Sequence, residues 1–119
     1  MPSESDDRVT EYDKLVRDRI PERIESAGER PVTHVADDDE YADRLAAKLT
    51  EEAEEFEESR QFEELADVLE VVHAILDARG TSLSELEDRR HRKRSDRGGF
   101  EERLVLERVE PTEAAEKTE

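Results

Sequence analysis

Apolar residues in the middle of the chain recur at intervals of three and four, the spacing of one face of an α-helix. Tyr41, Leu45, Leu49, Ala53 and Phe56 form such a stripe and predict a helix over 40–58. The Asp37-Asp38-Asp39 cluster ahead of it supplies a cap, because a short acidic side chain accepts hydrogen bonds from first-turn amides. A further helix is predicted over 61–79. Before this pair, Asp18 is expected to cap a short helix with Pro21 in its first turn, stopped at Gly28. After it, Thr81 or Ser82 caps a fourth helix, with Ser82 and Glu85 in capping-box spacing and an end before Gly98-Gly99. Residues 31–35 and 100–109 read as short strands, expected to pair in a peripheral β-hairpin. The predicted class is mostly α: an antiparallel helical hairpin bundle with that short hairpin at its edge.

The helix over 61–79 is apolar on two sides. With successive residues turned by about 100°, Phe62, Leu65, Leu69, Val72 and Leu76 form one group. Val68, Val71, Ala74, Ile75 and Ala78 form another. Only Glu63, Glu70, His73 and Asp77 are left for water. A helix of this kind needs packing partners on both faces, so the core is expected to be completed by a second subunit, in a homodimer or homotetramer.

Charge changes the picture next. The chain has 119 residues with 36 Asp and Glu against 19 Lys and Arg, a formal net charge of −17. Such a surface repels a phosphate backbone and argues against a nucleic-acid partner. With no cysteine, disulfide frameworks and thiolate metal sites are excluded. No apolar run approaches the roughly 20 residues that cross a membrane, so a soluble, cytoplasmic protein is expected. Lysine is scarce beside arginine, which together with the acidity fits a halophilic protein whose self-repulsion is screened by concentrated salt. The chain reads as a single domain over 1–119, with an ordered core over 12–109 and flexible acidic tails at 1–9 and 111–119.

Several carboxylates fall where apolar residues are expected. Glu52 takes a core slot in the 45, 49, 52, 56 rhythm, and Glu55 lies at the edge of the same stripe. Glu64 and Asp67 lie inside the second apolar arc of the following helix. Only Ser59 and Arg60, or a residue more, join the helices, which forces an antiparallel hairpin. Facing residues of such a hairpin share one index sum, so Glu55 faces Glu64 while Glu52 faces Asp67. Four anions in a half-buried seam require a hard divalent cation. Oxygen ligands without His or Cys favour Mg²⁺, with Mn²⁺ as a substitute. Mg²⁺ retains open positions for phosphate oxygens, which points to nucleotide polyphosphate chemistry.

Glu51-Glu52-Ala53-Glu54-Glu55 followed by Glu64-Leu65-Ala66-Asp67 resembles the EExxE and ExxD signature of the all-α nucleoside triphosphate pyrophosphatases. That is the MazG-like and phosphoribosyl-ATP pyrophosphohydrolase-like superfamily. The run Lys14-Leu15-Val16-Arg17-Asp18-Arg19-Ile20-Pro21 and the closing Arg97-Gly98-Gly99-Phe100 resemble a small stand-alone, haloarchaeal-type branch of it. The resemblance spans residues 12–107. It implies cleavage between the α- and β-phosphates with release of pyrophosphate, and Mg²⁺ bound through Glu52, Glu55, Glu64 and Asp67. It also implies phosphate contacts from Lys93 and Arg97, which match a KxxxR motif, and substrate contacts from Lys14 and Arg17. Lys48 is a further candidate for phosphate contact, and Glu51 for a general base. The hairpin corner is shorter than in many members of the superfamily, with eight residues between Glu55 and Glu64.

The function expected on these grounds is a Mg²⁺-dependent nucleotide pyrophosphohydrolase of the house-cleaning type, acting on a nucleoside triphosphate substrate. Phosphoribosyl-ATP hydrolysis is the alternative within the same chemistry. A non-catalytic, metal-binding helical interaction module is the alternative outside it.

Overall fold

The computed structural model describes residues 8–112. It contains α1 (Ile20–Ser26), α2 (Asp38–Ser59), α3 (Glu63–Ala78) and α4 (Leu83–Arg97), so the mostly α architecture stands. The expected tails at 1–9 and 111–119 fall almost wholly outside the described residues. Packing groups the chain into two compact units, with the boundary between Leu83 and Ser84.

In the first unit, α2 and α3 pack on each other. The α2 start obeys its predicted cap: Asp37 Oδ1 accepts from the Glu40 amide at 2.9 Å, and three more acidic residues follow in the first turn, where the helix dipole favours negative charge. Helix α2 ends at Arg60, which takes the left-handed conformation with φ +58°. Its amide donates to the Phe56 carbonyl at 2.8 Å. That single reversal lets α3 begin three residues later and makes the pair an antiparallel hairpin. For α1, the capping residue is Arg19 rather than the expected Asp18, and no side chain bonds the open amides. Pro21 still sits in the first turn, where its missing N–H costs nothing.

The core is thin. Leu45, Val71 and Leu76 are its buried apolar side chains, joined by one buried acid, Glu52. Of the two apolar groups on α3, Val71 is buried and Val68, Ala74 and Ile75 are half-buried. Leu65 and Leu69 of the other group remain 44% and 49% exposed.

The expected β-hairpin is not formed. Residues 31–35 and 100–109 contain no strand, and none occurs among the described residues. Val32, Val35, Leu104, Val105 and Leu106 are all largely exposed. Pro31 has no amide to give a ladder, and residues 31–35 carry no Asp, Glu, Lys or Arg to partner Glu102, Arg103, Glu107 and Arg108.

In the second unit, α4 starts directly after Ser82, as its predicted cap requires, and stops at Gly98. The Gly98 amide reaches the Arg94 carbonyl at 2.8 Å with φ +84°, a conformation that glycine adopts without steric cost.

Candidate metal centre

Each of the four carboxylates predicted to share a site offers one oxygen to it. These atoms of Glu52, Glu55, Glu64 and Asp67 lie within 4.8 Å of one another. The EExxE spacing on α2 and the ExxD spacing on α3 each present a pair one helical turn apart, and the antiparallel hairpin turns one pair to the other. Donors on opposite sides of a bound Ca²⁺ stand about 5 Å apart and those around Mg²⁺ about 4 Å, so the group is of a size to close on one hard cation.

Glu52 is the deepest of the four at 7% exposed. Its Oε1 lies 3.4 Å from Lys48 Nζ, and its Oε2 has no hydrogen-bond partner among the described residues. Burial raises the pKa of this carboxyl above the ordinary glutamate range, the charge of Glu55 raises it further, and Lys48 only partly opposes them. A buried anion with an unsatisfied oxygen is costly, and a cation bound by the cluster relieves that cost. The donor set, all oxygen and mostly charged, fits a hard divalent ion.

Three of the predicted substrate-contact residues border this cluster. Arg17 Nη2 donates to Asp67 Oδ1 at 2.8 Å. Lys48 Nζ lies 2.8 Å from Glu51 Oε2, and Lys14 Nζ reaches the same oxygen at 3.4 Å. The N-terminal run carrying Lys14 and Arg17 is thus drawn against the α2–α3 hairpin. Glu51, predicted as a general base, is the common partner of these two lysines. Its hydrogen bond from Lys48 holds its pKa below the ordinary value, with Lys14 adding to the effect, and a carboxylate stabilised in this way is a weak base. For Lys48, burial disfavours the charge, but Glu51 and Glu52 outweigh it and the pKa is raised.

Two further residues belong to this neighbourhood. Arg44 donates through Nη1 to the Asp13 carbonyl at 2.6 Å and through Nη2 to Asp13 Oδ1 at 2.9 Å. With Lys14, Lys48 and Glu51 it lines a small cavity. Its position one helical turn before Lys48 was the available sign. Ser59 Oγ donates to Glu64 Oε1 at 3.5 Å.

Lys93 and Arg97 lie on α4, in the second unit. Lys93 has no ion-pair partner among the described residues, and Arg97 Nε stands 3.9 Å from Asp96 Oδ2.

Among known proteins, the chain is 55% identical over 42 residues to an uncharacterized protein of Mycolicibacterium smegmatis (strain ATCC 700084 / mc(2)155). The match covers 35% of this chain and 43% of that protein, so the chain spans less than half of the curated relative it matches. No family model matches the chain, and no solved structure matches it. No helix among the described residues is long and apolar enough to cross a membrane.

Proposed function

We propose that the protein is a Mg²⁺-dependent nucleotide pyrophosphohydrolase that cleaves a nucleoside triphosphate to the monophosphate and pyrophosphate. The observation that carries this reading is the buried Glu52, with an unpaired oxygen among three other carboxylates. Its support from sequence is the resemblance of the EExxE and ExxD runs to the all-α nucleoside triphosphate pyrophosphatases.

Glu52, Glu55, Glu64 and Asp67 would hold the ion. Mg²⁺ bound there supplies charge neutralisation for the polyphosphate and activation of water. Arg17 orients Asp67 through its 2.8 Å bond. Lys14 and Lys48, gathered on Glu51, present two ammonium groups beside the carboxylates where phosphate oxygens are to be received. Phosphate contacts from Lys93 and Arg97 on α4 are what the resemblance adds to this reading. The working unit in this reading is a homodimer or homotetramer, favoured by the half-exposed Leu65 and Leu69 on the side of α3 away from Glu64 and Asp67.

The test is pyrophosphate release from canonical and modified nucleoside triphosphates and from phosphoribosyl-ATP, with Mg²⁺ in molar KCl. Glu52→Gln and Asp67→Asn are run alongside, with helicity measured by circular dichroism. Turnover that needs Mg²⁺ and collapses in both folded variants supports the assignment. Strong preference for phosphoribosyl-ATP moves the enzyme to histidine biosynthesis. A folded protein that is stabilised by Mg²⁺ yet turns over no substrate is a binding module instead.

A further inference from the structure

The stretch that follows α4 carries four large apolar residues with no cover. Leu104, Val105, Leu106 and Val109 are each at least 80% exposed, and residues 103–112 form no helix or strand. Leaving such a run in water is unfavourable, and its β-branched and leucine content suits an extended strand. A lone strand also presents unpaired backbone groups to any matching edge.

The order of charges around this run identifies the edge. Residues 102–108 read Glu-Arg-Leu-Val-Leu-Glu-Arg. When two copies run antiparallel about a two-fold axis at Val105, Glu102 faces Arg108 and Arg103 faces Glu107. Leu104 faces Leu106, and Val105 faces itself. Every opposed pair is then either oppositely charged or apolar, the combinations that stabilise an antiparallel ladder. Slipping the register by one residue opposes Glu102 to Glu107, or Arg103 to Arg108. Slipping it by two opposes Glu101 to Glu107, or Glu102 to Glu110. Like charges directly opposite are destabilising, so this register is selected against its neighbours.

Among the described residues, the contacts that this pairing would displace are weak. Among the described residues Arg108 is paired only with Glu110, across two exposed side chains, an interaction worth little. Arg103 closes a turn by donating its amide to the Phe100 carbonyl at 3.0 Å, with a left-handed φ of +59°. An arginine is strained in that region, and joining a strand moves it to the extended one.

We propose that residues 102–108 are a self-complementary docking strand, and that the partner is a second copy of this chain bound as a symmetric antiparallel β-pair centred on Val105. The interface is isologous, closes after two copies and does not propagate into a fibre. It stands independently of the proposed enzymatic reading.

The chain has no cysteine, which makes a direct test available in the full-length protein. Opposed residues of an antiparallel pair have Cα atoms about 4.5–5.5 Å apart, within the range that a disulfide spans. Val105→Cys is therefore expected to form a covalent dimer under mild oxidation in molar KCl. The rate should exceed that of Val32→Cys, equally exposed, by about tenfold or more, as a local concentration near millimolar requires. In the Val105→Cys background, Glu107→Arg opposes two arginines and should return cross-linking to the control rate. Adding Arg103→Glu should restore it. All these positions are exposed, and unchanged helicity by circular dichroism verifies folding. Cross-linking no faster than the control overturns the proposal. So does cross-linking indifferent to Glu107→Arg, or a Val35→Cys, Val105→Cys double variant that joins those two positions instead.

Discussion

Lys48 Nζ stands 3.4 Å from Glu52 Oε1 and is the sole cation within ion-pair distance of that buried carboxylate among the described residues. The lysine is shared, because Glu51 holds it more closely at 2.8 Å. Glu52 is thus left with a partial counter-charge and one unpaired oxygen. This imbalance is what favours the proposed metal site over an acidic patch that is merely solvated.

Glu52→Gln should raise the stability of the metal-free protein and abolish its response to Mg²⁺. The amide keeps the shape, removes the buried charge and leaves Lys48 paired with Glu51. A gain on the order of 1 kcal/mol is expected, the scale on which an unsatisfied buried polar group costs a fold. Chemical denaturation with and without Mg²⁺ measures both effects. A metal-free variant less stable than the parent would mean that Lys48 already satisfies Glu52.

The neighbouring acids should respond to pH with opposite signs. Glu52 has a raised pKa in the folded protein, so its contribution is fully present below the unfolded value and is lost as pH rises through the folded one. Glu51 has a lowered pKa. Its contribution is present above the unfolded value, about 4.3, and is lost as pH falls through the folded one. In chelator, Glu51→Gln should flatten the acid limb of the stability curve, whereas Glu52→Gln should remove a decline toward neutral pH. Mg²⁺ affinity should weaken as acid protonates Glu52. Parallel pH curves for the two variants would contradict the assignment.

Much of the hairpin and its carboxylates was legible in the sequence, for a geometric reason. Helical periodicity put Glu52 among Leu45, Leu49 and Phe56, and a corner too short for anything but an antiparallel turn set Glu52 opposite Asp67. These relations depend only on residues near one another along the chain. The contacts of Lys14 with Glu51 and Arg17 with Asp67 span 37 and 50 positions through an irregular segment without periodicity, and only the family resemblance singled out those two residues. The role of Glu51 as a lysine anchor was hidden for the same reason, since half of its partnership comes from Lys14. Residues 31–35 and 100–109 have strand composition, but composition says nothing about whether an edge is present to receive them.

Leu45 and Leu69 should separate the core of one chain from the face left to a partner. Leu45 is 3% exposed, and Leu45→Ala should cost about 2–5 kcal/mol at any protein concentration. Leu69 is half exposed, so in an isolated chain Leu69→Ala should cost about 1 kcal/mol or less. If subunits cover that side of α3, the cost rises and the melting temperature becomes dependent on protein concentration. Thermal melts over a hundredfold dilution, with sedimentation velocity on the same samples, distinguish the two. A Leu69→Ala variant with parental oligomeric state and stability would rule out this face as the subunit contact.

Arg60 holds the corner between α2 and α3 in a conformation that disfavours any L-residue other than asparagine or aspartate. Its φ of +58° is a place where glycine is the common choice, yet the arginine gains only an exposed bond from Nε to the Glu57 carbonyl at 2.5 Å. Arg60→Gly should therefore stabilise the hairpin by about 0.5–1 kcal/mol, the relief of strain being partly offset by the greater freedom of glycine in the unfolded chain. The carboxylates lie on the helices that this turn joins, so Mg²⁺ affinity should be unchanged. Arg60→Val, with a branched side chain at the same φ, should destabilise the hairpin and weaken Mg²⁺ binding as the helices lose register. Denaturant midpoints for the pair provide the measurement. A glycine variant less stable than the parent would show that the Arg60 side chain, rather than its backbone, sets the turn.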